Sequence, residues 1–269
     1  MGAHAGVSAL AGGRPDRDFR AGQSHAPSAD EKRLESVMRA VGFGTGGSGA
    51  RRRTSRRRGQ DMKPKTRDAL DLGPDVIRYL LPHRRPFVFV DRITHFSREP
   101  EAALWAQKYI SSNEDVFNGH FPGWHIWPGV CTQEGLGQCI NLLMLLDGLC
   151  GGCAGLGVQA DEFLELLRNL ERGSRLHPGH AAEKNRFLFE LLASAGNIVG
   201  MSAATEMKFL KPVFGGSRLD YYIRQTHRLD NIARFHVEAS VDDALVAKGV
   251  MSSTVGITAP GMVRPDGGV

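Results

Sequence analysis

Apolar and polar residues alternate through most of the C-terminal third of the chain. RLDYYIRQTHRL (218–229), IARFHVEASV (232–241) and ALVAKGVMSSTVG (244–256) carry β-branched or aromatic residues at close to every second position, the period of a half-buried strand. Asp-Asn and Asp-Asp steps separate the three segments, and a Gly-Gly-Ser turn precedes the first, so they read as antiparallel neighbours. AATEMKFLKPV (203–213), PFVFVDRITHF (86–96) and AALWAQKYIS (102–111) bear the same strand signature. Between these blocks the period changes. VCTQEGLGQCINLLMLLDGL (130–149) places Val130, Leu136, Ile140, Leu143 and Met144 at helical spacing, and Pro128 stands where a first-turn proline opens a helix. The pattern predicts an α+β fold of about six mostly antiparallel strands around one long buried helix. QADEFLELLRNLERG (159–173) and AAEKNRFLFELLASAGN (181–197) read as two amphipathic helices divided by the breaker SRLHPGH. The glycine-rich GLCGGCAGLG (148–157) reads as a loop after the long helix, since no Gly-Lys-Ser/Thr follows to make it a phosphate cradle.

Composition divides the chain. Residues 1–61 hold twelve Lys and Arg against six Asp and Glu, including ARRRTSRRRG, whereas the remainder holds 22 against 23. The formal charge of +5 therefore belongs to the N-terminal segment, which reads as a disordered basic extension. An import leader, or a tail that binds nucleic-acid phosphates, is the alternative for such a segment. Met62 is a candidate start of a folded domain over 62–259, with 260–269 as a flexible tail, and Gly6 argues against a myristoylation signal. Four cysteines, Cys131, Cys139, Cys150 and Cys153, cluster in the long helix and just after it, with no others to form a disulfide framework. A reducing, cytoplasmic setting is expected. Cys150 and Cys153 form a single C-x-x-C with no second pair at zinc spacing, so no metal site is expected. The tract Cys139–Leu149 is short for a membrane span and contains Asp147.

Candidate chemistry concentrates in GHFPGWHIWPGVCTQEG (119–135). Two Pro-Gly steps stiffen this stretch around His120 and Glu134, because proline fixes φ and glycine accepts turns closed to other residues. Either side chain alone is ordinary. Together, in a rigid frame, a neutral imidazole and a partly buried carboxyl suit a reaction that moves two protons. N–H groups at the helix start, near Gly129 and Val130, would stabilise a developing oxyanion through the helix dipole. His120 lies ahead of the helix and Glu134 inside it, so the two are not expected to meet within one chain. A two-fold homodimer, or a higher homo-oligomer, would bring the Glu of one chain to the His of another.

The segment resembles the hot-dog-fold 3-hydroxyacyl-acyl-carrier-protein dehydratases of the FabZ type, whose motif reads GHFPG, a few residues, then PGV and a Glu. LPHRRPFVFVDRI (81–93) is similar to that family's opening segment, SSNEDVFNGHFPG to its approach to the site, Gln138 to its post-Glu glutamine and MKFLKPV to a core strand. The resemblance covers about Val76 to Gly256 with one interruption. It implies a hot-dog fold that eliminates water from a 3-hydroxyacyl thioester, with no metal or redox cofactor. His120 would be the base and the partner chain's Glu134 the acid or water-orienting group. Gly129 would make the oxyanion contact, with Val130, Phe121, Trp127 and Gln138 against the substrate. Related FabA-type enzymes usually carry Asp at the acidic position, so Glu134 argues for dehydration without isomerisation. An acyl carrier protein would be the partner, docked by Arg84, Arg85, Lys208, Lys211 and Arg218 unless these are solvated charges; nucleic acid and membrane are not expected partners. The chain departs from the family pattern at His125-Ile126-Trp127, where Pro-Val-Met is common, at Trp124, at Arg85 in place of Tyr, and in an insertion over about 151–200. The insertion would serve as a lid, a tunnel cap or an oligomer contact. A catalytically lapsed protein that only binds acyl carriers, or an acyl thioesterase, is the alternative on the same fold.

Overall fold

A computed structural model describes residues 69–154, 157–176, 198–254 and 257–258. The basic extension 1–61, the tail 260–269 and the expected helix over 181–197 lie outside the described residues. In chain order the elements are β1 (Ala69–Leu72), α1 (Pro74–Leu80), β2 (Arg92–Ser97), β3 (Ala103–Tyr109), a 3-10 turn (Asp115–Asn118), β4 (Ile126–Trp127), α2 (Gly129–Ala154), α3 (Ala160–Leu176), β5 (Ile198–Val199), β6 (Ser202–Phe209), β7 (Val213–Phe214), β8 (Arg218–Leu229), β9 (Ile232–Val241), β10 (Ala244–Thr254) and β11 (Ile257–Thr258).

Seven strands form one antiparallel sheet in the order β1-β2-β3-β8-β9-β10-β6. Alternation drives it: Leu219, Tyr221 and Ile223 of β8 and Ala233, Phe235, Val237 and Ala239 of β9 turn inward, all buried. The Asp-Asp step joins β9 to β10 with positive φ at both residues, 49° and 65°, the backbone a two-residue hairpin needs. Helix α2 crosses the sheet and packs on β3, β8, β9, β10 and β6. Its residues are apolar nearly all round, from Leu136 through Cys153, which marks a helix enclosed by protein. It is long and apolar enough to cross a membrane, yet 72% of that stretch is buried inside this fold. A long helix wrapped by an antiparallel sheet is the hot-dog arrangement.

Two expectations shift. The strand expected from Pro86 begins at Arg92, because the backbone of Phe87 and Phe89 bonds to Gln138 of α2 instead of to a neighbouring strand. The glycine-rich stretch expected as a loop continues α2 to Ala154. Its side of the helix is enclosed, with Cys150, Gly152 and Cys153 buried, and packing outweighs the poor helix propensity of glycine. Of the insertion, the described half is α3. It packs on α1, α2 and β1, burying Phe163, Leu167 and Leu170. Arg168 donates to the carbonyls of Ala69 and Leu70, covering the β1 edge of the sheet. Glu171, 2% exposed, accepts from the Val76 N–H at the start of α1 (2.9 Å) and from Arg175 (2.6 Å).

Candidate active site

The loop carrying His120 is built from the turn chemistry its sequence announces. Phe121 and Trp124 exchange two backbone hydrogen bonds, 2.9 and 2.8 Å, across Pro122 and Gly123, whose φ of 78° only glycine adopts freely. β4 then pairs with β7, Ile126 opposite Phe214 and Trp127 opposite Val213, and Pro128 gives its carbonyl to the first turn of α2. The loop is thus fastened at both ends before the helix begins.

His120 is held by main chain. Its N–H donates to Val116 O (2.9 Å), its ring stacks on Phe121 at 4.2 Å, and Nδ1 lies 2.8 Å from Ile126 O. A carbonyl can only accept, so Nδ1 carries the proton and Nε2 is the bare acceptor. The side chain lines a cavity of about 390 Å³ with Trp127, Gly129, Thr132, Phe209, Lys211 and others. Gly129 keeps this cavity's wall close, because a Cβ there would meet the Phe209 ring at 3.0 Å. Trp127 is 3% exposed and packs edge-on against Phe89 and Phe117. His125 stacks on Phe117 at 5.0 Å and is not among the residues lining this cavity.

Glu134 is held by side chains. Gln138 Nε2 donates to its Oε1 at 3.0 Å, and His83 Nε2 stands 3.5 Å from the same oxygen. The carboxylate opens on a second cavity, about 320 Å³, lined by Phe87, Phe89, Val130, Cys131, Gln133, Gly137, Ser202 and Met251. Burial first, then the negative charges of Glu134 and Glu114, pushes the Cys131 thiol above its ordinary range, so it stands there as a neutral group. Cys150 is pushed up to about 12, mainly by burial. All four cysteines are free thiols.

Among the described residues His120 lines the first of these cavities and Glu134 the second. The two oxyanion candidates also divide: Gly129 borders the His120 cavity, whereas Val130 borders the Glu134 cavity. Phe121, 47% exposed, and Gln138, fully buried, line neither. Gln138 was expected against substrate; its amide instead braces Phe87, Phe89 and Glu134. Of the five cations expected at a carrier-docking face, Lys211 borders the His120 cavity, Arg218 is paired with Asp220 and Arg84 donates to Leu81 O and His83 O. His83 was missed by sequence reasoning. Its signal was present in Leu-Pro-His-Arg-Arg-Pro, a second histidine set between prolines.

The chain is similar to known proteins of one kind. Residues 81–159 match the family model described as a FabA-like domain. The chain is 28% identical over 179 residues to the 3-hydroxyacyl-acyl-carrier-protein dehydratase FabZ of Allorhizobium ampelinum, covering 66% of this chain and 86% of that protein. It is 31% identical over 129 residues to the FabZ of Campylobacter curvus, covering 45% and 78%. Among solved structures, a dehydratase heterocomplex, ApeI:P, from Xenorhabdus doucetiae aligns with a TM-score of 0.40 and 15% identity, over 66% of this chain and 90% of that one. The chain belongs to the family of FabZ 3-hydroxyacyl-acyl-carrier-protein dehydratases.

Proposed function

We propose that the protein removes water from a 3-hydroxyacyl thioester carried on acyl carrier protein, giving the trans-2-enoyl thioester, in a site shared by two copies of the chain. The observation that carries this reading is the bond from Nδ1 of His120 to Ile126 O, which leaves Nε2 basic at a cavity wall. Nε2 takes the proton from C2. The C2–H electrons form the C2=C3 double bond as the C3–O bond breaks, and Glu134 gives a proton to the departing hydroxyl, releasing water. The thioester oxygen gains negative charge in passing and meets the Gly129 N–H at the open start of α2. Only protons and one leaving group move, so the reaction as drawn calls on no metal or redox cofactor.

The β6 strand supports the second copy. It ends the sheet with nearly every residue exposed, and Met201, Phe209 and Leu210 at its ends are large exposed apolar groups. Phe209 borders the His120 cavity and Ser202 the Glu134 cavity, at opposite ends of a strand roughly 23 Å long. Antiparallel pairing of β6 with its two-fold copy sets the Phe209 end of one chain against the Ser202 end of the other. The base of each chain then faces the acid of its partner. The test is turnover of a 3-hydroxyacyl carrier thioester followed by enoyl absorbance. Formation of product, lost in His120→Ala and in Glu134→Ala, is expected; carrier binding without product overturns dehydration, and release of free thiol would mark a thioesterase instead.

A further inference from the structure

Glu134 sits in a closed circuit of contacts. Gln138 donates one amide hydrogen to Glu134 Oε1 and the other to Phe87 O, while its oxygen accepts from Phe89 N at 2.9 Å. Phe87 stacks on the His83 ring, centroids 6.2 Å apart and 25° between planes. His83 Nε2 completes the circuit 3.5 Å from the same Oε1. The loop that carries His83 is itself pinned: Arg84 donates to Leu81 O and His83 O, and Phe87 N donates to Arg84 O at 2.7 Å. Among the described residues both contacts fall on Oε1, leaving Oε2 uncommitted at the cavity.

The tautomer follows from the surroundings. Nδ1 of His83 is enclosed with no hydrogen-bond partner, whereas Nε2 faces a carboxylate, which only a donor can satisfy. The proton therefore sits on Nε2. Two charged groups act on the ring, Glu134 from α2 and Arg84 from its own loop. Burial is the largest influence and lowers its proton affinity, so the imidazole stays neutral and acts as a donor.

We propose that His83 is a positioning residue that, together with Gln138, grips Oε1 of Glu134, aims Oε2 at the substrate and steadies the carboxylate that forms as Glu134 gives up its proton. This rests on the dehydratase reading of the site. Lone-pair donation into Nε2–H strengthens as negative charge gathers on the carboxylate, so the contact helps most while the proton is leaving. The 3.5 Å separation is longer than a finished hydrogen bond, and such contacts close when substrate fills a site.

The test uses the intact enzyme and three variants. His83→Phe keeps a ring against Phe87 but has no donor; it should lower kcat about tenfold, the worth of one hydrogen bond to a charged group, with KM unchanged. His83→Gln places an amide N–H near the Nε2 position and should restore most of that loss. In the Glu134→Ala background His83→Phe should add less than about twofold, because contacting residues that act through one another are not additive. A tenfold loss in that background, or His83→Gln as slow as His83→Phe, would overturn the assignment by making His83 merely structural. Full turnover in Glu134→Ala alone rejects the reading of the site on which the proposal stands.

Discussion

The two functional ends of the molecule are fixed by different means. At the His120 end the main chain holds the side chain: a Pro-Gly turn, a two-residue strand pair and the Ile126 carbonyl. At the Glu134 end other side chains do so, from a helix position one turn on and from a loop remote in sequence. A backbone frame survives single substitutions around it, whereas a side-chain frame fails with any one member. The base should therefore be lost only by replacing it, and the acid by several routes.

Direct removal gives the largest effects. His120→Ala and Glu134→Ala should each lower kcat by roughly 10²–10⁴, the range for one general acid or base, measured with saturating substrate. Mixing the two inactive variants, after unfolding and refolding together, sharpens the comparison. If each site borrows one group from each chain, half of randomly formed dimers carry one intact site, and about a quarter of normal activity should return. No recovery would place base and acid on one chain and break the shared-site reading.

Next is Gln138→Leu, which strips the brace from the acid and strands Phe87 O and Phe89 N in a buried position. Loss of about 2–4 kcal/mol in denaturant unfolding is expected from two unsatisfied backbone groups, with kcat falling as Glu134 loses its donor. The comparable cut at the other end, Phe121→Ala, removes only a stacking partner from His120 and should leave both quantities close to normal. Smaller still, Glu171→Ala should cost about 1–3 kcal/mol by removing the carboxylate that caps α1, with kcat unchanged because α3 borders neither cavity. The pH test is the mildest. His83 has its pKa lowered by burial, so the unfolded chain binds that proton more readily. Stability should fall as pH drops below the ordinary histidine value of 6.5. Thermal melts of His83→Phe against the parent between pH 7 and 5, flatter in the variant, would check the sign.

What could be read from sequence was whatever depends on neighbours along the chain. The period-two strands, the Asp-Asp hairpin turn, the Pro-Gly frame and the helix opened by Pro128 all arise from local chemistry. What escaped depends on distant partners. β1 is only four residues long and owes its cover to Arg168 of α3. The Phe87–Phe89 stretch has strand-like residues but its backbone bonds to Gln138. The Gly148–Ala154 stretch stays helical because it is enclosed. His83 and Glu134 meet only after α1, β2 and α2 are assembled.

The sheet has unlike borders. α3 seals the β1 side by bonding its carbonyls, and β6 leaves its own side bare. A sheet with one closed margin can accept a single neighbour by strand addition, after which no free margin is left to template another. If copies pair along β6 as proposed, the inserted helix would leave the sheet no second margin to extend from.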